Sequence, residues 1–355
     1  MGIYDKLNSQ LDQPAERRPF RWWHIPLLLL LIGATVYVAM EYNSNKKGQT
    51  TASSAEYLKC EGNIFGTVYH ITYQSATDLA DSIGAVLQEV DNSLSPFNPN
   101  SVITAINQNQ SMQTDSRFRE VFLLAKEVSA ATDGAFDITV APLVNAWGFG
   151  FKNKENVTDS LLRSILEHVG IEKVSLEDEQ IVKSDTCVML DCSAIAKGYG
   201  VDAVGQYLEE KGVENYMVEI GGEVRLKGHN DKGTEWNIGV VKPDPDALGS
   251  QNELMEVLHL SDISMATSGN YRNFYEEGGK RYAHTIDPHT GNPVQHSLLS
   301  STVLADRCAV ADAYATAFMV LGLEKAQTVL KSHPELKAYF IYADEEGNDA
   351  VWRNF

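Results

Sequence analysis

The chain has 355 residues, 43% of them apolar, which is enough for one large domain or two modest ones around a packed core. Its formal net charge of -19 argues against a nucleic-acid partner, which requires clustered Lys and Arg. An acidic protein that takes an anionic ligand must supply positive charge locally, through a metal ion or a few placed basic side chains.

In chain order, residues 1–21 form a short leader that ends in basic residues (Arg17, Arg18, Arg21). Residues 22–41 open with Trp22 and Trp23 and continue as a charge-free apolar run from Ile25 to Met40. That length is close to the ~20 residues of a transmembrane helix. Trp at the interface and basic residues on the cytoplasmic flank set its direction. The reading is a single-pass anchor in a bacterial cytoplasmic membrane, with the rest of the chain on the extracytoplasmic side. A cleaved signal sequence also fits the run. Residues 42–55 are rich in Ser, Thr, Asn, Lys and Gly and read as a flexible linker. Residues 56–355 make the folded body.

Within that body, residues 64–74 read as a strand rich in β-branched and aromatic residues, with Gly66 marking a bulge or a close backbone approach. A helix follows, capped near Thr77 or Asp78, with Leu79, Ile83, Leu87, Val90 and Leu94 at helical spacing. A second helix runs from about Asp115 to Thr132 and is stopped by Gly134. Ser193 caps a third that ends by Gly212. Strands are expected at 215–220 and 223–228 around Gly221 and Gly222. A helix covers about 309–332 with a break at Gly322, and a hairpin closes the chain (338–342 and 350–355, turning at 344–348). Locally paired strands with interspersed helices predict an α+β body with a mixed, largely antiparallel sheet and flanking helices. The four cysteines (Cys60, Cys187, Cys192, Cys308) match no zinc spacing. Cys187 and Cys192 are close enough in sequence to pair, and buried free thiols are the other reading.

Five stretches carry chemistry. Phe65-Gly66-Thr67 is the first. Leu94-Ser95-Pro96-Phe97 with Pro99 is a stiff loop able to hold Phe97 against a flat ring. Gly134-Ala135-Phe136-Asp137, followed by Trp147 and Phe149, suits a groove for an aromatic ligand. Asp191 through Gly200 puts Lys197 in the first turn of a helix, where free N–H groups and the helix dipole attract phosphate. The last stretch spans Ser268-Gly269, His284 to Asp287-Pro288, and Asp312 to Thr316. Residues four apart share a helix face, so the Asp312 carboxylate and the Thr316 hydroxyl can address one hard cation such as Mg2+. Read alone, the pattern is common, and a cap with a hydroxyl bonded back to its own helix is the plainer reading.

In this order the five stretches, with Gly221-Gly222-Glu223 and Gly291, resemble the ApbE family of flavin transferases over residues 60 to 330. The resemblance implies the fold of that family, and an FAD-binding flavin transferase domain over 56–355. It implies Mg2+ held by the Ala194 carbonyl, Asp312 and Thr316. It implies FAD contacts at Phe65, Phe97, Ala135, Phe136, Asp137, Asp191, Lys197 and Ile286. The activity it implies is transfer of FMN from FAD to a Thr or Ser of an acceptor protein in a membrane redox complex, with AMP released. His284, whose ordinary pKa suits proton transfer near neutral pH, is the expected base, with Asp287 orienting it or acting itself. Lys197 is the expected second cation. His70, His289 and His296 are weaker candidates. With water as acceptor the same site would be an FAD pyrophosphatase, and without turnover a flavin-holding protein.

Overall fold

A computed structural model describes residues 56–151, 156–243, 253–270, 274–277 and 280–355. The anchor and linker expected over 22–55 lie outside these residues. Among the described residues, no helix is long and apolar enough to cross a membrane.

The body begins with a hairpin where one strand was expected. β1 (Glu56–Ile64) and β2 (Thr67–Ser75) pair antiparallel along their full length. Phe65 and Gly66 form the two-residue turn, both at positive φ (51° and 73°). A turn of that hand matches the twist of the strands it joins, and glycine at its second position relieves the strain. Gly66 is therefore a turn residue and not a bulge.

From this hairpin grows an eight-stranded sheet in the order β1-β2-β5-β6-β9-β12-β13-β14. Its inner members are β5 (Tyr216–Ile220), β6 (Glu223–Lys227), β9 (Ile263–Gly269) and β12 (Leu298–Ala305). β13 (Lys337–Ala343) and β14 (Asp349–Arg353) finish it as the expected terminal hairpin. Every neighbouring pair is antiparallel. Three two-stranded ribbons stand apart: β3 (Val174–Glu177) with β4 (Gln180–Lys183), β7 (Trp236–Val241) with β8 (Leu254–Leu260), and β10 (Phe274–Glu277) with β11 (Lys280–Ala283).

Successive residues of a strand face opposite sides, and the core divides accordingly. Ala266, Val303, Ala338 and Phe340 join the cluster that holds the helices. Their neighbours Met265, Leu304, Tyr339 and Ile341 face the other way, toward Trp236, Val240 and Leu258 of the β7–β8 ribbon.

Among the described residues, eight α-helices flank the sheet: α1 (Ala80–Leu94), α2 (Val102–Asn107), α3 (Ser116–Ala131), α4 (Ala141–Ala146), α5 (Asp159–Leu166), α6 (Ser193–Glu210), α7 (Cys308–Leu321) and α8 (Leu323–Ser332). The long ones fall where helical spacing predicts. Asp115 caps α3 by accepting from the Phe118 N–H at 2.7 Å. Gly322, at φ 75°, separates α7 from α8. Ser193 does not cap α6: it is the first helical residue, and its N–H donates to Asp191 Oδ1 at 2.8 Å.

Candidate active site

The geometry of the site starts where α6 crosses α7. Gly198, on α6, has no room for a side chain. A Cβ there would stand 2.5 Å from the Cys308 carbonyl oxygen and 2.8 Å from Asp312 Cβ. This closeness lets the Gly198 N–H donate to Asp312 Oδ2 at 3.0 Å. In an α-helix that same N–H addresses the carbonyl four residues back, which is Ala194. The Asp312 carboxylate and the Ala194 carbonyl thus converge on one side of the first turns of α6. One turn along α7, the Thr316 hydroxyl is 3.0 Å from Ser268 Oγ, at the end of β9. Ala194, Asp312 and Thr316, from two helices, line one cavity.

The N-terminus of α7 is fixed by a residue that sequence reasoning passed over. Asp202, buried on α6, accepts from the N–H groups of Cys308 (2.9 Å) and Ala309 (3.0 Å) and pairs with Arg225 at 3.1 Å. The signal was an acid three residues on from Tyr199, on the same helix face. Burial raises the Asp202 pKa against these partners.

Lys197, half-buried, reaches Glu223 Oε1 at 2.6 Å. Burial works against its charge, but the carboxylates of Asp312 and Glu223 outweigh that and raise its pKa. Glu223 is 2% exposed, and its Oε2 has no hydrogen-bond partner. Burial pushes its carboxyl up. The thiol of Cys308 is driven far up as well, first by burial and then by Asp202, Asp312 and Glu223. It is a packing residue and not a nucleophile.

These groups open onto a cavity of about 1500 Å³. Small-molecule pockets run to roughly 300–1,000 Å³, so the space suits something as large as a dinucleotide. Twelve of the residues singled out from sequence line it: Phe65, Phe97, Ala135, Phe136, Asp137 and Asp191, then Ala194, Lys197, His284, Ile286, Asp312 and Thr316. Phe97 is 65% exposed at the mouth, edge-on to Phe151 at 6.1 Å. His284 lies edge-on to Phe149 at 6.4 Å. Ala135, Phe136 and Ile286 form buried wall. Asp137 borders the cavity, but its carboxylate is engaged by the backbone. Oδ1 accepts from the Thr139 N–H (2.7 Å) and hydroxyl (2.6 Å), and Oδ2 from the Ile171 N–H (2.9 Å).

Asp287 stands differently from the expectation. It is not among the cavity-lining residues. Its Oδ1 accepts from the His289 N–H at 2.9 Å and its Oδ2 from the Thr290 hydroxyl at 3.0 Å. The Gly291 N–H donates to its carbonyl at 2.8 Å. Such short-range bonding is what aspartate does in turns. Asp287 builds the turn after His284, and its carboxylate is spent on that turn. Gly291 is needed there at φ 71°, and its carbonyl accepts from Trp147 Nε1 at 2.8 Å.

The charge of the lining is one-sided. Asp91, Asp137, Asp191, Glu219, Glu223 and Asp312 face one lysine, Lys197, among the described residues. A pyrophosphate could not settle beside buried Asp312 and Glu223 without more positive charge. The converging donors are all oxygen: a carbonyl, a carboxylate and a hydroxyl. That is the chemistry of a hard divalent cation such as Mg2+, and the residues fit one.

Fold and cavity together define an α+β protein with room for a large ligand between turns of the sheet and the first turns of a helix. The chain belongs to the ApbE family, which its residues 65–340 match. It is 38% identical over 304 residues to the FAD:protein FMN transferase of Vibrio cholerae serotype O1, covering 82% of this chain and 90% of that one. It is 31% identical over 339 residues to the FAD:protein FMN transferase of Escherichia coli K12, covering 91% and 93%. Among solved structures, the flavin transferase ApbE from Vibrio cholerae superposes with a TM-score of 0.77 at 36% identity, over 84% of this chain and 97% of that one. The apo flavinyl transferase ApbE of Pseudomonas stutzeri gives 0.75 at 28% identity, over 84% and 95%.

Proposed function

We propose that this chain is an FAD:protein FMN transferase that moves FMN from FAD to a Thr or Ser hydroxyl of an acceptor protein and releases AMP. The observation that carries the reading is a dinucleotide-sized cavity whose acidic lining gathers three oxygen donors beside one lysine. Ala194, Asp312 and Thr316 would hold Mg2+, which would supply the positive charge that a pyrophosphate needs there.

The chain's own residues do the rest. Phe97 and Phe65 offer flat apolar surface to an isoalloxazine ring. Lys197, kept protonated by its carboxylate neighbours, places a second positive charge at the start of α6. Glu223 fixes where that ammonium points. His284 takes the proton from the acceptor hydroxyl as its oxygen bonds to the FMN-side phosphorus. The bond from that phosphorus to the bridging oxygen breaks, and AMP carries the oxygen away. The Asp287 turn holds His284 in place.

The acceptor class we propose is a protein of a membrane redox complex, met on the extracytoplasmic side. Support for that placement comes from the apolar run 22–41 and its basic leader. The experiment incubates the chain with FAD, Mg2+ and a candidate acceptor domain and looks by mass spectrometry for an FMN adduct on Thr or Ser. Asp312→Ala should lower adduct formation by about two orders of magnitude or more. His284→Gln should lower kcat by about 10²–10⁴ with little change in FAD binding. Release of free FMN and AMP with no adduct would make the enzyme a hydrolase and overturn the proposal.

A further inference from the structure

Away from the cavity, a second group of side chains is arranged for chemistry that flavin transfer does not use. His168 follows α5, and Asp185 and Cys187 lie on the loop after β4. His168 Nδ1 is 3.1 Å from Asp185 Oδ1 and 3.2 Å from Oδ2. One ligand atom from each of His168, Asp185 and Cys187 lies within 4.8 Å of the other two. Among the described residues, no other three His, Cys, Asp or Glu side chains are gathered in this way.

The loop is held in shape independently of any ligand. The Ser184 N–H donates to the Lys173 carbonyl at 2.8 Å. Lys183 Nζ donates to the carbonyls of Ile106 and Val188, each at 3.0 Å. Asn109 Nδ2 donates to the Thr186 carbonyl at 3.0 Å, and Asn107 brackets Leu190 with two bonds (2.8 and 2.7 Å). Within the loop, the Cys187 N–H donates to Asp185 Oδ1 at 2.7 Å and closes the turn that brings thiol and carboxylate together. A site built on so fixed a loop loses little entropy when it binds.

We propose that His168, Asp185 and Cys187 bind one borderline-soft divalent cation, zinc by its chemistry, with water in the fourth position. Imidazole, carboxylate and thiolate are the ligand types zinc takes, whereas sulfur repels the choice of Mg2+. Tetrahedral zinc places such ligand atoms roughly 3.3–3.6 Å apart, given bond lengths of about 2.0–2.3 Å. The trio, within 4.8 Å of one another, would draw closer around the ion. Binding expels the thiol proton and any proton on the imidazole nitrogen that turns to the metal. The ion would clip the segment after α5 to the β4 loop. Val169, next to His168, packs with Leu143, Trp147, Leu162 and Ile286, so the clip braces the wall behind the cavity.

The test titrates the full-length, tag-free, reduced chain with Co2+ in excess Mg2+, which keeps the all-oxygen site occupied. One equivalent should produce the near-ultraviolet thiolate-to-cobalt absorption, and Zn2+ should displace it. Cys187 is the one exposed cysteine of the four, so alkylation reports on it, and the bound ion should protect it. Cys187→Ser and His168→Gln should each abolish the absorption while leaving FMN transfer intact. Continued alkylation of Cys187 with no absorption at saturating Co2+ would reduce the cluster to a His168–Asp185 ion pair. Absorption that survives in Cys187→Ser would place the thiolate elsewhere and overturn the proposal equally.

Discussion

Glu209 shows how single residues far from the cavity support it. It accepts from the Tyr216 hydroxyl at 2.6 Å and from Arg225 at 2.9 Å, and lies 3.3 Å from Lys227. Partial burial opposes its charge, but these partners prevail and hold its pKa below the ordinary 4.5. A carboxyl held low in the folded chain stabilises it fully above the ordinary value, and that contribution is lost as pH falls through the lowered one. Glu209→Gln should therefore lower Tm at neutral pH and converge with the parent on the acid limb. A gap that stays constant across a Tm–pH profile would refute the linkage. Arg225 also pairs with Asp202, so the loss would be felt at the α7 N-terminus. Residues of this kind were hard to see in the sequence, because their partners lie far along the chain. Asp312 and Thr316 stood out by their helical spacing, Lys197 by its place near a helix start and His284 by the family resemblance, and all four line the cavity. Asp287 was seen, but its part in a turn was not. An acid beside a histidine in sequence suggests a pair, and nothing local shows that a turn will claim its carboxylate.

The crossing of α6 and α7 sets the site at the scale of elements, and two glycines test it. Gly198→Ala would drive a methyl into the Cys308 backbone and Asp312 Cβ. Overpacking of this sort costs about 1–3 kcal/mol. It should lower Tm and raise the Mg2+ concentration needed for half-maximal transfer. Gly84→Ala, on α1, is the control: nothing lies within 4 Å of the added Cβ, so the helix should gain up to about 1 kcal/mol. A Gly198→Ala chain as stable as the Gly84→Ala chain would remove the argument for a tight crossing. The long helices and the terminal hairpin were legible from period and turn chemistry. The first hairpin was not, because the strand read over 64–74 runs through the Phe65-Gly66 turn and leaves β1 out. The strands β9 and β12 were missed too. Ser264, Ser300, Ser301 and Thr302 are buried among their residues, which erases the expected alternation.

For the whole molecule, everything described belongs to one compact unit. Its sheet draws neighbours from both ends of the chain, with β1 and β14 at opposite edges. The α+β class was readable from the alternation of elements, but the strand order was not, since β2 pairs with β5 across the span that holds α1 to α6. The proposed anchor belongs to this scale as well. The full-length chain should sediment with membranes and resist carbonate extraction, while a chain starting at residue 56 stays in the supernatant. Full-length protein released by carbonate would refute the anchor.

The cavity takes Phe65 from the first hairpin and Asp312 and Thr316 from α7, near the end of synthesis. A chain still emerging from the ribosome has its aromatic walls before it has its cation ligands. It can gain no transfer activity until α7 has docked against α6, β9 and β12, so activation waits for that helix to be made. An enzyme that consumes a common cofactor is in this way kept inert while most of its chain is being made.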